Sequence, residues 1–256
     1  MLEASFLPGL AAVVLVGLLV GSFLNVVITR LPERRSLWAP RSACPGCGAT
    51  IAWHDNVPVL SFVALRGRCR ACAMPIAWRY PVVEVTTAGL FALAYSVFGL
   101  TPDLGVALIL LAALVAITGI DLQHQIIPDV ITLTGTVAGF VANLATGRVG
   151  WSESLLGILV GGGSFLAIIL ASGGGMGGGD MKLGAMLGAF LGWKVTLLAI
   201  LVAVVLGGIV AGILLTTGLR RRKDPVPFGP FLALGGAVGL LWGDRLVNWY
   251  LTAFQA

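Results

Sequence analysis

Long apolar segments separated by short polar segments run through most of the chain. An α-helix needs about 20 mostly apolar residues to cross a bilayer, and the pattern predicts eight such helices. Their predicted residues are about 7–28, 83–100, 104–120, 129–146, 153–172, 182–193, 195–218 and 229–250. The stretch from 183 to 217 is too long for one span and short for two, and Gly192-Trp193-Lys194 predicts a turn within it. The pattern therefore indicates an all-α polytopic membrane protein.

The composition supports the same class of protein. Of the 256 residues, 58% are hydrophobic and 11% are charged, whereas soluble domains have about 45–50% apolar and about 25% charged residues. The first apolar segment is too long for a signal-peptide core and is expected to be a retained span. The net charge of +5 does not indicate nucleic acid, because the basic residues follow the predicted topology. We expect membrane lipid to surround the predicted helices.

Basic residues cluster on one side of the predicted membrane helices. Eight arginines lie between the first two spans, Lys182 begins the sixth, and the basic segment 220–223 follows the seventh. With eight spans these residues all fall on one side, and only Arg148, Lys194 and Arg245 fall on the other. Basic loops remain in the cytosol. The distribution therefore predicts that both termini lie outside.

The sizeable polar region between the first two spans, residues 31–81, contains four cysteines. Cys44 and Cys47 form one Cys-x-x-Cys pair and Cys69 and Cys72 form another, with 21 residues between the pairs. This spacing predicts a structural zinc ion held by four thiolates, the alternative being four unrelated buried thiols. The reducing cytosol argues against disulfides. The predicted organisation is a first helix (1–30), a zinc-binding insert (31–81) and a seven-helix membrane domain (82–256).

Two acidic residues beside apolar segments are the candidates for chemistry. Asp121 ends the third span, and Asp180 follows a glycine run at the start of the sixth. The predicted orientation places both on the cytosolic face. A carboxylate near hydrocarbon is costly, and two that meet at this boundary can share a proton and act as an aspartyl protease. The alternative for Asp180 is a helix cap.

Other residues near these acids have less specific roles. The candidates that line the site are Gly177, Gly179, Lys182, Glu84 and His124. For Glu84 a structural or substrate-orienting role is favoured, and for His124 an interfacial position at a helix end. Asp129 is expected to cap the fourth span.

Motifs along nearly the whole chain are similar to those of one known family. They are Ser22-Phe23-Leu24-Asn25-Val26-Val27-Ile28 with Arg30-Leu31-Pro32, the paired Cys-x-x-Cys, Asn56-Val57-Pro58, Leu65-Arg66-Gly67-Arg68-Cys69-Arg70, Arg79-Tyr80-Pro81 with Glu84, Asp121 with Ile127-Pro128-Asp129, Gly177-Gly178-Gly179-Asp180 with Lys182, and Pro227-Phe228-Gly229-Pro230-Phe231. In these motifs the chain resembles the type IV prepilin peptidases, which also serve type II secretion.

The resemblance implies a bifunctional enzyme of the bacterial inner membrane. Asp121 and Asp180 would cleave the short basic leader of prepilins or pseudopilins after a glycine, on the cytosolic side. The new N-terminal amine would then be methylated with S-adenosylmethionine. Gln123 stands where many members carry a second acid, which leaves Asp121 as the acid in the core of its motif. The alternatives are a peptidase without methyltransferase activity, an ion-coupled transporter and a secretion-system assembly subunit.

Overall fold

The computed structural model describes residues 2–171, 177–219 and 226–254. The chain forms two compact units, residues 1–104 and 105–256. The basic segment 220–223, which is expected to anchor the topology, and most of the glycine run before residue 177 lie outside the described residues. The predicted domains divide the chain at residues 30 and 81 and stay a prediction.

Among the described residues the secondary structure is helical. The α-helices are α1 (Leu2–Arg30), α2 (Leu60–Ala64), α3 (Arg79–Phe98), α4 (Pro102–His124), α5 (Asp129–Thr146), α6 (Trp151–Ala171), α7 (Gly178–Thr216) and α8 (Gly229–Phe254). Apart from α2, these seven helices are long and apolar enough to cross a membrane. Isolated β-bridges, not strands, occur in the described part of the chain. The predicted all-α, multi-pass membrane fold is confirmed.

The predicted turn near residue 192 lies inside α7. Gly192 has φ 72° and ψ 169°, a conformation that does not belong to a helix and that glycine adopts readily. Leu187 and Ala199 lie against the neighbouring residues Gly236 and Gly235, although a straight helix would separate two residues twelve apart by about 18 Å. The chain therefore reverses direction at Gly192. The two predicted spans 182–193 and 195–218 correspond to the two arms of this hairpin.

The break at Gly192 leaves helix carbonyl groups without their usual donors, and neighbouring helices supply replacements. Asn143 of α5 donates from Nδ2 to the carbonyl oxygens of Ala189 and Phe190, at 2.7 and 3.2 Å. Ser154 of α6 donates from Oγ to the Ala189 oxygen at 2.7 Å. Both polar side chains are buried. Because buried backbone groups without a partner are costly, these bonds stabilise the reversal at Gly192.

In the first unit, α1 packs closely on α3, and the insert connects them. A methyl group added at Gly21 would lie 2.7 Å from the Cα atom of Glu84, so the two helix backbones approach each other directly. The insert contains the 3₁₀-helix Trp53–Asn56 and α2. Its ordered contacts include an ion pair in which Arg70 Nη2 lies 2.6 Å from Asp55 Oδ1.

Candidate active site and metal centre

Asp121 lies in the last turn of α4 and is buried, with 5% of its surface exposed. Its Oδ2 atom accepts a hydrogen bond of 2.9 Å from the backbone N–H of Gly229, the first residue of α8. The first N–H groups of a helix have no partner within that helix, so one of them is free to bind this carboxyl group. The contact links the end of one membrane helix to the beginning of another.

Asp180 lies in the first turn of α7 but is not its cap. The N-cap residue is Gly177, and no side chain forms a capping hydrogen bond there. The alternative that Asp180 serves only as a helix cap is therefore wrong. The Oδ2 atom of Asp180 lies 3.8 Å from the point where a Cβ atom of Gly177 would stand.

The two acids lie at the ends of different helices of the second unit. Asp121 is in the last turn of α4 and Asp180 is in the first turn of α7. One carboxyl group is buried and the other is half-buried. The prediction that both acids lie on the cytosolic face of the membrane stays a prediction.

The segments around the two acids contact each other. Lys182 donates from Nζ to both carboxylate oxygens of Asp129, at 2.6 and 2.7 Å. A methyl group added at Gly179 would lie 2.9 Å from the Cβ atom of Ile127. The expectation that Asp129 caps the fourth span is wrong, because Pro128 is the N-cap residue of α5 and no side chain caps it. Asp129 uses its carboxylate in the ion pair instead.

The remaining candidate residues have different surroundings. Glu84 belongs to the first unit and is buried, and its Oε2 atom accepts a 2.8 Å hydrogen bond from the N–H of Val59. This bond attaches the insert to α3, as a structural role requires. His124 is exposed at the end of α4, in agreement with an interfacial position. The hypothesis that either residue lines the active site stays a prediction.

The four cysteines converge on one point of the insert. The sulfur atoms of Cys44, Cys47, Cys69 and Cys72 all lie within 4.8 Å of one another. The two pairs have the same backbone pattern. Cys44 donates its N–H to the carbonyl of Ala49 at 2.9 Å, and Cys69 donates to Met74 at 2.8 Å, in each case five residues further along. This cluster could hold a metal ion.

Backbone groups around the cluster favour a thiolate. The N–H groups of Cys47 and Gly46 lower the pKa of the Cys44 thiol to about 6. The N–H of Met74 lowers the pKa of Cys72, but burial and hydrogen bonds to the neighbouring thiols outweigh it and raise that pKa to about 11. Once one thiol is deprotonated, its negative charge therefore disfavours deprotonation of the next thiol. A cation at the centre of the cluster would offset this repulsion.

Sequence reasoning missed two contacts of the candidate active site. The hydrogen bond from Gly229 to Asp121 has a signal in the segment Pro227-Phe228-Gly229-Pro230, where prolines on both sides fix the beginning of α8. The ion pair between Asp129 and Lys182 has a weaker signal, namely that each residue shortly follows one of the two acids.

Two family models match the sequence, each within one compact unit. The Bacterial Peptidase A24 N-terminal domain matches residues 15–98, and the Type IV leader peptidase family matches residues 108–212. No solved structure matches the chain.

Similar proteins cover almost the whole chain. A Prepilin leader peptidase/N-methyltransferase of Aeromonas hydrophila is 40% identical and the alignment covers 94% of this chain and 93% of that protein. A protein of the same name from Pseudomonas aeruginosa is 38% identical, with 93% and 92% covered. Another from Myxococcus xanthus is 44% identical, with 78% and 61% covered.

Proposed function

The chain belongs to the type IV leader peptidase family, and on this premise we propose that it removes leader peptides from prepilins or pseudopilins and methylates the new N-terminus. The family expected from the sequence motifs is confirmed. Relatives that cover the chain almost completely carry both activities in their names. The transporter and assembly-subunit alternatives are not favoured.

The observation that supports cleavage most directly is that the segment that follows Asp121 contacts the first turns of α7, where Asp180 lies. Adjacent carboxyl groups hold one proton between them, because two like charges at short range are unfavourable. The ionised member takes a proton from water, and the protonated member donates a hydrogen bond to the oxygen of the scissile carbonyl. The water oxygen adds to the carbonyl carbon. Collapse of this intermediate breaks the C–N bond, and the amine leaves with a proton from the pair.

Zinc is the metal that the insert is proposed to bind. A tetrahedral zinc site with Zn–S bonds of about 2.3 Å separates neighbouring sulfur atoms by about 3.8 Å. The sulfur atoms of Cys44 and Cys72 lie 3.7 Å apart, which fits this geometry. Four cysteines occupy every position of such a site, so the ion stabilises the insert and takes no part in cleavage.

S-adenosylmethionine is the proposed methyl donor. The support is the methyltransferase in the names of the relatives. Its methyl group would pass to the new N-terminal amine, which loses a proton, and the sulfonium would become a neutral thioether.

The enzyme is proposed to lie in the bacterial inner membrane with the two acids at the cytosolic boundary. The basic residues between α1 and α3 support this orientation, because such residues remain in the cytosol. The hairpin in α7 keeps the number of membrane crossings even, so both termini would lie outside.

The proposal is tested with purified protein, a prepilin and labelled S-adenosylmethionine, with cleavage and methyl transfer scored separately. Asp121→Asn and Asp180→Asn should each abolish cleavage, because an amide cannot carry the shared proton. The double variant should be no worse than either single variant, since the two groups act as one unit. Methylation of a pilin that is already cleaved should continue in all three.

Asp103→Asn is the matched control, because Asp103 lies in the first turn of α4, at the opposite end from Asp121. It should cleave at the wild-type rate. Full cleavage by either Asp121→Asn or Asp180→Asn would contradict the aspartyl mechanism. Cleavage without methyl transfer in the wild-type protein would establish the peptidase-only alternative.

A further inference from the structure

We propose that Asp129 and Lys182 are positioning residues whose ion pair holds Asp180 in place for cleavage. This inference rests on the proposed function, because it assigns Asp180 to the reaction. The pair joins the first residue of α5, the helix that follows Asp121, to the beginning of α7, the helix that contains Asp180. Lys182 lies two residues after Asp180, on the same turn of helix.

Two contacts fix the start of α7 on both sides of Asp180. On one side, Gly179 packs so closely on Ile127 that an added methyl group would lie 2.9 Å from its Cβ atom. On the other side, both oxygens of Asp129 accept hydrogen bonds from Lys182, at 2.6 and 2.7 Å. Ile127 and Asp129 both belong to the segment that follows Asp121 after the end of α4. A shift of this segment against α7 would therefore change the separation of the two acids.

The exposure of the ion pair argues that its role is positional. The side chain of Asp129 is 57% exposed and that of Lys182 is 33% exposed, and exposed ion pairs contribute little to stability. The Asp129 carboxylate forms no helix cap. Catalysis is far more sensitive than stability to small shifts, since a misplacement of about 1 Å can cost about 100-fold in rate. Lys182 Nζ donates to both carboxylate oxygens of Asp129, so the role proposed for Lys182 is exerted through the pair.

The test compares the steady-state kinetics of Asp129→Asn, Lys182→Gln, the neutral double variant and the reversed double variant Asp129→Lys/Lys182→Asp. Each single variant should lose about tenfold in kcat with little change in KM, because the binding of the substrate is not altered. The neutral double variant should be no worse than a single one, and the reversed pair should recover most of the activity. Wild-type kcat in both single variants overturns the proposal, and so does an additive loss in the neutral double variant.

The matched control is Lys194→Gln. Lys194 lies on the same helix beyond Gly192 and pairs with Glu153 of α6 at 3.9 Å, so its loss removes an ion pair of α7 that is remote from Asp180 in sequence. Its kcat should equal that of the wild type. A tenfold loss in this control would show a general effect of ion pairs on α7 and would overturn a specific positioning role.

A second measurement does not depend on cleavage. In an Asp180→Cys background, the rate at which a maleimide modifies the thiol at position 180 reports how firmly the first turn of α7 is held. Lys182→Gln should raise this rate severalfold, and Lys194→Gln should not. An unchanged rate in both overturns the positioning role. If the wild-type protein fails to cleave prepilin, the proposed function fails, and this labelling result still decides the role of the pair.

Discussion

Replacement of Gly229 by alanine should displace the carboxyl group of Asp121 while the protein stays folded. The added methyl group would lie 2.6 Å from Oδ2 and 3.1 Å from Cγ of Asp121. Because these are atoms of a side chain, the carboxyl group can move and relieve the clash. The movement breaks or bends the 2.9 Å hydrogen bond from the Gly229 N–H. A hydrogen bond to a charged group contributes about 1.5–3 kcal/mol, which corresponds to about 10- to 150-fold in rate.

The assay is the steady-state cleavage of a prepilin by purified Gly229→Ala, with thermal unfolding measured on the same sample. We expect kcat to fall by about 10- to 150-fold and KM to change little. The matched control is Gly208→Ala in α7, because no atom lies within 4 Å of the position of its added methyl group. Alanine is also the better helix former, so the control should be at least as stable as the wild type and equally active.

A folded Gly229→Ala protein that cleaves at the wild-type rate would refute this reasoning. That result would mean that the N–H at the start of α8 does not hold Asp121 in its reactive position. An equal loss in Gly208→Ala would also refute it, since the effect would then come from any alanine in a membrane helix.

Three further predictions concern the insert and the topology. Metal analysis of protein purified without chelator should give about one zinc per chain, and Cys72→Ser should lower this content and make the insert sensitive to protease. A cysteine placed beside Arg148 should react with an impermeant reagent on intact cells from outside, as the basic residues predict, and labelling only after permeabilisation would reverse the orientation. The hydrogen bond from Arg70 lowers the pKa of Asp55. The ionised Asp55 carboxylate therefore stabilises the insert at neutral pH, and this stabilisation is lost as the pH falls through the lowered pKa. Wild-type insert should therefore resist protease better than Asp55→Asn at pH 7, and this difference should vanish in acid.

The membrane helices could be predicted from the sequence because hydrocarbon imposes a simple rule. Every backbone group within it needs an internal partner, so each apolar segment of sufficient length becomes a helix. Predicted span 129–146 agrees with α5 at both ends, and 153–172 agrees with α6 within two residues. The convergence of the four cysteines could also be predicted, since two Cys-x-x-Cys turns at this spacing can offer four sulfur atoms to one ion.

The role of Asp129 could not be predicted from its neighbours. An acid at the start of a helix usually caps it, but Pro128 occupies the cap position and Lys182, distant in the chain, takes the carboxylate. The role of the glycines before Asp180 also depends on a distant part of the chain. The described ones, Gly177 to Gly179, have no positive φ. Gly179 is needed for its close approach to Ile127, and such an approach is visible only once the helices are packed.

The contacts of the candidate active site share one physical origin, which is that they lie at helix ends. Asp121 is in the last turn of α4, Asp180 is in the first turn of α7, and Gly229 begins α8. Within a membrane helix the backbone groups are already paired, so only its ends offer free N–H groups to a carboxylate. Helix ends are also where water reaches a membrane protein, and hydrolysis consumes water. A peptidase built from membrane helices is therefore expected to act at the boundary of the bilayer, and the scissile bond of its substrate must be presented there.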